Sequence, residues 1–205
     1  ETPAEDVLKF PGGRRDGLSV TDELVSSSED VAPTMLSLAG LPVPDYMTGR
    51  PLAGIRRVSP RPYVWGGRNR IDESPDVSRT VTDGRYFYTR VFMPQLPLVE
   101  YAKYQEVGDI TRTIRADYAA GLLNASQAEL VQARPLEYLY DLHQDTWQVN
   151  NLATNPGYQP VVSRMREALH THLLDVQDVL FMPEYEMARR AEHALSQKGR
   201  VHQRL

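Results

Sequence analysis

The sequence predicts an α+β chain in which helices accompany an antiparallel sheet. Three observations carry that expectation: an Asp83-Gly84 dipeptide between two alternating apolar runs, a punctuated helical pattern from Ser28 to Gly40, and a long amphipathic pattern from Gln159 to Val176. With 205 residues, 41% of them hydrophobic and 24% charged, the composition is that of a globular protein with enough chain for a core.

Taken in order, Val7 to Phe10 is a short apolar run stopped by Pro11-Gly12-Gly13, and Val20 to Val25 is a second extended candidate. The first helix has Ser28 as its expected cap, Glu29 and Asp30 at its positive end, and Gly40 as a left-handed stop. Val31, Met35, Leu38 and Ala39 recur at helical spacing, so this stripe is expected to be buried against a sheet. Prolines 42, 44, 51, 60 and 62 then mark a connector between two layers or subdomains.

Beyond the connector the pattern alternates. Arg61 to Trp65 and Val77 to Thr82 read as strands, and the second joins Arg85 to Phe92 through Asp83-Gly84, a hairpin signal in which both loop positions are expected to take positive φ. Glu137 to Leu142 is the last strand. The segment between, Leu98 to Pro135, is too long for a structureless loop and predicts helices, with Ser126 and Glu129 as a capping box opening Gln127 to Ala133. The Gln159 helix presents Val162, Met165, Leu169, Leu173 and Val176 on one stripe, and a final helix is expected from Pro183 to Lys198.

The chemistry is sparse. Twenty-three basic against 27 acidic residues gives a net charge of −4, which argues against a nucleic-acid partner. No stretch reaches the roughly 18 apolar residues of a transmembrane helix. The absence of cysteine removes disulfides, thiolate metal sites and a cysteine nucleophile from this chain. His170 and His172 resemble a ligand pair, but two residues on a helix is a rotation of about 200°, which points the rings apart. Asp145-Thr146-Trp147 followed by Asn150-Asn151 reads as a capped turn with Trp147 packed beneath it.

One polar cluster has functional character. In Gly66-Gly67-Arg68-Asn69-Arg70-Ile71-Asp72-Glu73, two glycines permit a sharp turn after a strand, two arginines suit an anion, and two carboxylates suit hydroxyls or those same arginines. A surface loop stitched by its own ion pairs accounts for the same residues.

Asp30-Val31-Ala32-Pro33-Thr34-Met35-Leu36-Ser37-Leu38-Ala39-Gly40 with Gly49-Arg50-Pro51-Leu52 is similar to the Asp-Leu-Ala-Pro-Thr-Leu-Leu-x-Leu-Ala-Gly … Gly-Arg-Ser-Leu signature of the sulfatases of the alkaline-phosphatase-like superfamily. Leu139-Tyr140-Asp141-Leu142 through Asp145 and Asn150-Asn151-Leu152-Ala153 resembles their Leu-Tyr-Asp-Leu-x-x-Asp-Pro-x-Glu-x-Asn-Asn-Leu-Ala segment, and Asp83-Gly84-Arg85-Tyr86 fits the strand pair between. Thr146, where the family commonly has proline, is one departure.

The resemblance covers only the rear portion of such an enzyme. It implies that residues 1–57 are the tail of a large α/β domain and 58–205 a C-terminal subdomain, with a sheet of about four antiparallel strands, a long packing helix and a helical insertion at 98–135. It implies hydrolysis of a sulfate ester or sulfamate, with sulfated carbohydrate as the first expectation for substrate. Calcium and a formylglycine matured from a Cys or Ser are implied for the parent enzyme, in a missing N-terminal catalytic portion rather than in this chain, so that no catalytic or metal-binding residue carries over and this chain alone is expected to be inactive. Arg68, Asn69, Arg70, Asp72 and Glu73 become the candidate substrate contacts. Members of the family are commonly periplasmic, secreted or lysosomal. A non-enzymatic binding module, and a phosphonate or phosphodiester hydrolase of the same superfamily, are the alternatives.

Overall fold

The computed structural model describes residues 14–15, 18–19, 23–70 and 72–195. The run Val7 to Phe10 and the end of the last expected helix lie outside them. The chain divides into two compact units, Glu1–Trp65 with Thr82–Tyr86, and Gly66–Val81 with Phe87–Leu205.

In the first unit a short ladder pairs β1 (Arg14–Arg15) antiparallel with β2 (Leu18–Ser19). The described part of the Val20 to Val25 candidate, from Glu23 onward, is not strand. Helix α1 (Ser27–Leu38) starts one residue before the expected cap. Its start is held by Asp30, whose Oδ2 accepts from the Ser26 backbone N–H at 2.8 Å; no side-chain cap is needed. Gly40 takes φ 73° just past the helix, as expected of the stop.

The buried face of α1 is not the apolar one. Asp30, Pro33 and Ser37 are out of solvent, whereas Val31 is 56% and Met35 65% exposed and Leu38 is exposed as well. The cause is the proline-rich connector, which folds back onto the polar side of the helix and donates backbone N–H groups to it. Arg50 N donates to Asp30 Oδ1 at 2.8 Å, Leu52 N to Thr34 Oγ1 at 3.0 Å and Arg56 N to Ser37 Oγ at 3.0 Å. These bonds give an otherwise irregular segment its partners. Gly49 permits the approach, since a Cβ there would sit 1.8 Å from the Glu29 carbonyl oxygen.

A four-stranded antiparallel sheet runs in the order β3 (Val64–Arg68), β4 (Ser78–Thr82), β5 (Tyr86–Val91), β6 (Glu137–Asp141). The β4–β5 turn uses the Asp-Gly pair differently from the expectation. Gly84 alone has positive φ, 92°, because Asp83 Oδ1 accepts from the N–H groups of Arg85 (3.0 Å) and Tyr86 (2.7 Å), which fixes the turn by side-chain bonding.

Within the second unit, helix α4 (Gln159–Asp175) supplies Val162, Met165 and Leu169 to a core shared with Val81, Tyr88, Val91 and Leu139. Glu137 ties strand to helix. Its carboxylate accepts from Arg166 Nε at 2.7 Å and Nη2 at 2.8 Å and from the Tyr88 hydroxyl. Asn151 extends β6 by mimicking a strand, accepting from Leu139 N and donating to Glu137 O, both at 3.0 Å. The 98–135 segment holds α2 (Asp109–Ala119) and α3 (Ala125–Ala128). The capping box there is Asn124 with Gln127 rather than Ser126 with Glu129, since Asn124 Oδ1 accepts from Gln127 N and Gln127 Oε1 from Asn124 N, each at 3.0 Å. The last helix is α5 (Glu184–Leu195).

Candidate functional site

Strand β3 ends in Gly66-Gly67-Arg68 and delivers the chain into the 69–77 loop. A side chain at Gly66 would meet Thr80 Oγ1 at 2.6 Å, so glycine lets the strand lie close to β4 where the loop begins. The loop divides the five candidate residues between two roles.

Arg68 turns inward. Its Nε lies 3.0 Å from Asp76 Oδ2 as an ion pair, and its Nη2 donates to the Leu98 carbonyl at 3.2 Å. Asp76 is also clamped by Arg134, through Nη1 to Oδ2 at 3.0 Å and Nη2 to Oδ1 at 2.7 Å. Arg134 also donates to the carbonyls of Leu96 and Met93. Glu100 stands beside this network, and burial, with the nearby Asp76 charge, raises its pKa. The Oε1 of Glu100 and the Oδ1 of Asn69 are buried without a hydrogen-bond partner. Asp76, Glu100 and Arg134 are separated by tens of residues in sequence, and no local pattern marks them as one cluster.

Arg70 and Asp72 point outward. Arg70 Nε pairs with Glu184 at 2.6 Å across two exposed side chains. Asp72 is exposed and sits at φ 49°, a left-handed conformation that aspartate tolerates better than most residues. Glu73 is exposed and accepts from the Lys103 backbone N–H at 2.5 Å, a bond that, with one from its own backbone, lowers its pKa. Arg68 is therefore structural in its present pose. Arg70 and Asp72 present an anion donor and a hydroxyl acceptor to solvent two residues apart.

No family model matches the sequence. Over 182 residues, 88% of this chain, it is 30% identical to an ulvan-active sulfatase of Formosa agariphila. The chain is a sulfatase homologue. A second ulvan-active sulfatase of that organism is 28% identical over 180 residues, 85% of the chain. The homologous segment spans 30% and 33% of those two relatives, as a C-terminal portion does. The fold agrees: a structure assigned to a sulfatase from Bacteroides thetaiotaomicron (TM-score 0.54) and that of a 2-O GAG sulfatase (0.53) each share 22% identity with this sulfatase homologue, covering 82% of it and 29% of themselves.

The calcium and formylglycine that the resemblance implies do not fit the residues described here. Among the described residues no group of three or more His, Asp or Glu converges as a metal site, and the sequence has no Cys/Ser-x-Pro/Ala-x-Arg string. Among them, too, no helix is long and apolar enough to cross a membrane.

Proposed function

We propose that this chain is the C-terminal part of a sulfuric ester hydrolase acting on sulfated carbohydrate. The observation that carries the reading is the 30% identity to an ulvan-active sulfatase sustained over 88% of the chain. On this reading the nucleophile, as formylglycine, and the calcium belong to residues outside this sequence. The chain alone does not turn over substrate, and the parent enzyme is exported.

The contribution of this portion is positioning. The Arg68–Asp76–Arg134 network ties residues 68 and 76, on either side of Arg70 and Asp72, to one another and to Arg134. An exposed guanidinium suits a sulfate or a carboxylate, and an exposed aspartate suits sugar hydroxyls. Arg68, through the Leu98 carbonyl, and Glu73, through the Lys103 N–H, support that presentation.

The test is the parent gene. A Cys/Ser-x-Pro/Ala-x-Arg string upstream of Glu1 is expected, and its absence from the complete reading frame contradicts the proposal.

A further inference from the structure

Trp147 is 87% exposed, the reverse of the packed position its turn suggested. The turn is built to hold it there. Asp145, itself buried, accepts from the backbone N–H groups of Val149 at 3.1 Å and Asn150 at 2.8 Å, and Thr146 Oγ1 donates to the Leu142 carbonyl at 3.3 Å. Gln148, the next residue, takes φ 56°, a conformation that costs a non-glycine residue free energy. An indole kept in water by a buried carboxylate on one side and a left-handed residue on the other is a presented aromatic.

It stands at a cavity of about 370 Å³, within the range of about 300–1,000 Å³ typical of ligand pockets. Tyr138 and Tyr140, stacked with centroids 5.9 Å apart and planes at 22°, line the same cavity from β6. The polar lining includes Ser126, Glu129 and Gln148, none of whose side chains is engaged in a hydrogen bond or ion pair among the described residues. The cation in the lining, Arg134, has its charge paired with Asp76 and donates to two carbonyls as well.

We propose that this cavity is a second carbohydrate subsite, in which Trp147 stacks on the C–H face of an unsulfated sugar unit of a polysaccharide and Glu129 and Gln148 bind its hydroxyls. Sugar C–H groups carry slight positive charge and match the electron-rich face of an indole. The Glu129 carboxylate, with the charge of Arg134 already offset by Asp76, disfavours a sulfate here, so the site recognises the sugar and not its ester. The choice of a carbohydrate ligand rests on the proposed function; the aromatic and polar geometry does not.

The test is affinity electrophoresis of the full-length protein through ulvan and through chemically desulfated ulvan, alongside sulfate release from ulvan. Both polymers should retard the wild type. Trp147→Ala should weaken retention roughly tenfold in each, Trp147→Phe should retain most of it, and Glu129→Gln should fall between. Unchanged retention in Trp147→Ala overturns the proposal, as does a drop of about 5 °C or more in its melting temperature, which would place the indole under another part of the protein. A wild type that desulfates ulvan while Trp147→Ala binds normally refutes the subsite and leaves the function intact. Retention that depends on Trp147 without sulfate release does the opposite.

Discussion

Arg134 grips Asp76 through two parallel hydrogen bonds, at 3.0 and 2.7 Å, with both side chains almost wholly removed from solvent. A fork of this kind is favourable only as a pair. Arg134→Met leaves the Asp76 carboxylate buried beside Arg68 alone, and a loss of about 3–5 kcal/mol in unfolding free energy is expected, read by urea denaturation. Adding Asp76→Asn should recover most of that loss. Recovery absent in the double variant would mean that the arginine acts through packing.

How far the sequence could be read depended on which interactions were local. The hairpin, β6 and α4 follow as elements from local spacing and turn residues; in α4, Val162, Met165 and Leu169 of the expected stripe are buried, whereas Val176, just past the helix end, is exposed. The α1 stripe was legible as apolar but not as exposed, because hydrophobic spacing does not reveal that Asp30, Thr34 and Ser37 would capture a connector twenty residues on. Arg68 to Glu73 could be seen as a cluster. Its division into an inward arginine and an outward pair is set by Asp76, Arg134, Glu100 and Glu184, whose convergence depends on the sheet and the insertion being folded.

Acid sensitivity should trace to Glu137. Arg166 hydrogen-bonds its ionised form and, outweighing the opposite pull of burial, holds the carboxyl below the ordinary 4.5. A carboxyl whose folded pKa is lowered stabilises the fold fully above 4.5, and that contribution is lost as pH falls through the folded value. Glu137→Gln should therefore flatten the melting temperature between about pH 5 and pH 3 relative to wild type. An identical acid limb in both proteins would contradict the assignment.

Part of the alkaline sensitivity should trace to Tyr88, beside that of Tyr140, which burial raises likewise. Burial first, and then its bond to Glu137, raise the Tyr88 hydroxyl above the ordinary 10.0. A raised pKa gives stability that is complete below 10.0 and lost as pH climbs through the folded value, so Tyr88→Phe should remove that part of the loss, measured by thermal melts in alkaline buffers.

The outward face of α1 should bind an apolar dye. Val31, Met35 and Leu38 together make a stripe exposed among the described residues, so the 205-residue chain alone is expected to enhance dye fluorescence, and Val31→Glu/Met35→Glu to abolish most of it. In the full-length protein the stripe should be covered and the enhancement absent. Equal dye binding by the chain and the full-length protein would show that nothing else packs there.

Arg70→Ala and Asp72→Ala, made in the full-length enzyme, are expected to raise KM or lower kcat/KM on a sulfated polysaccharide while leaving the melting temperature within about 1 °C, since neither side chain is buried. Kinetics indistinguishable from wild type would return the loop to a purely structural role.

Sulfate release bears most directly on what this chain belongs to. Ion chromatography of ulvan digests should show inorganic sulfate accumulating with the full-length protein and none with residues 1–205 alone. Full-length protein, correctly folded and matured, that liberates no sulfate from ulvan or other sulfated polysaccharides would contradict the reading of this chain as part of a sulfatase active on carbohydrate.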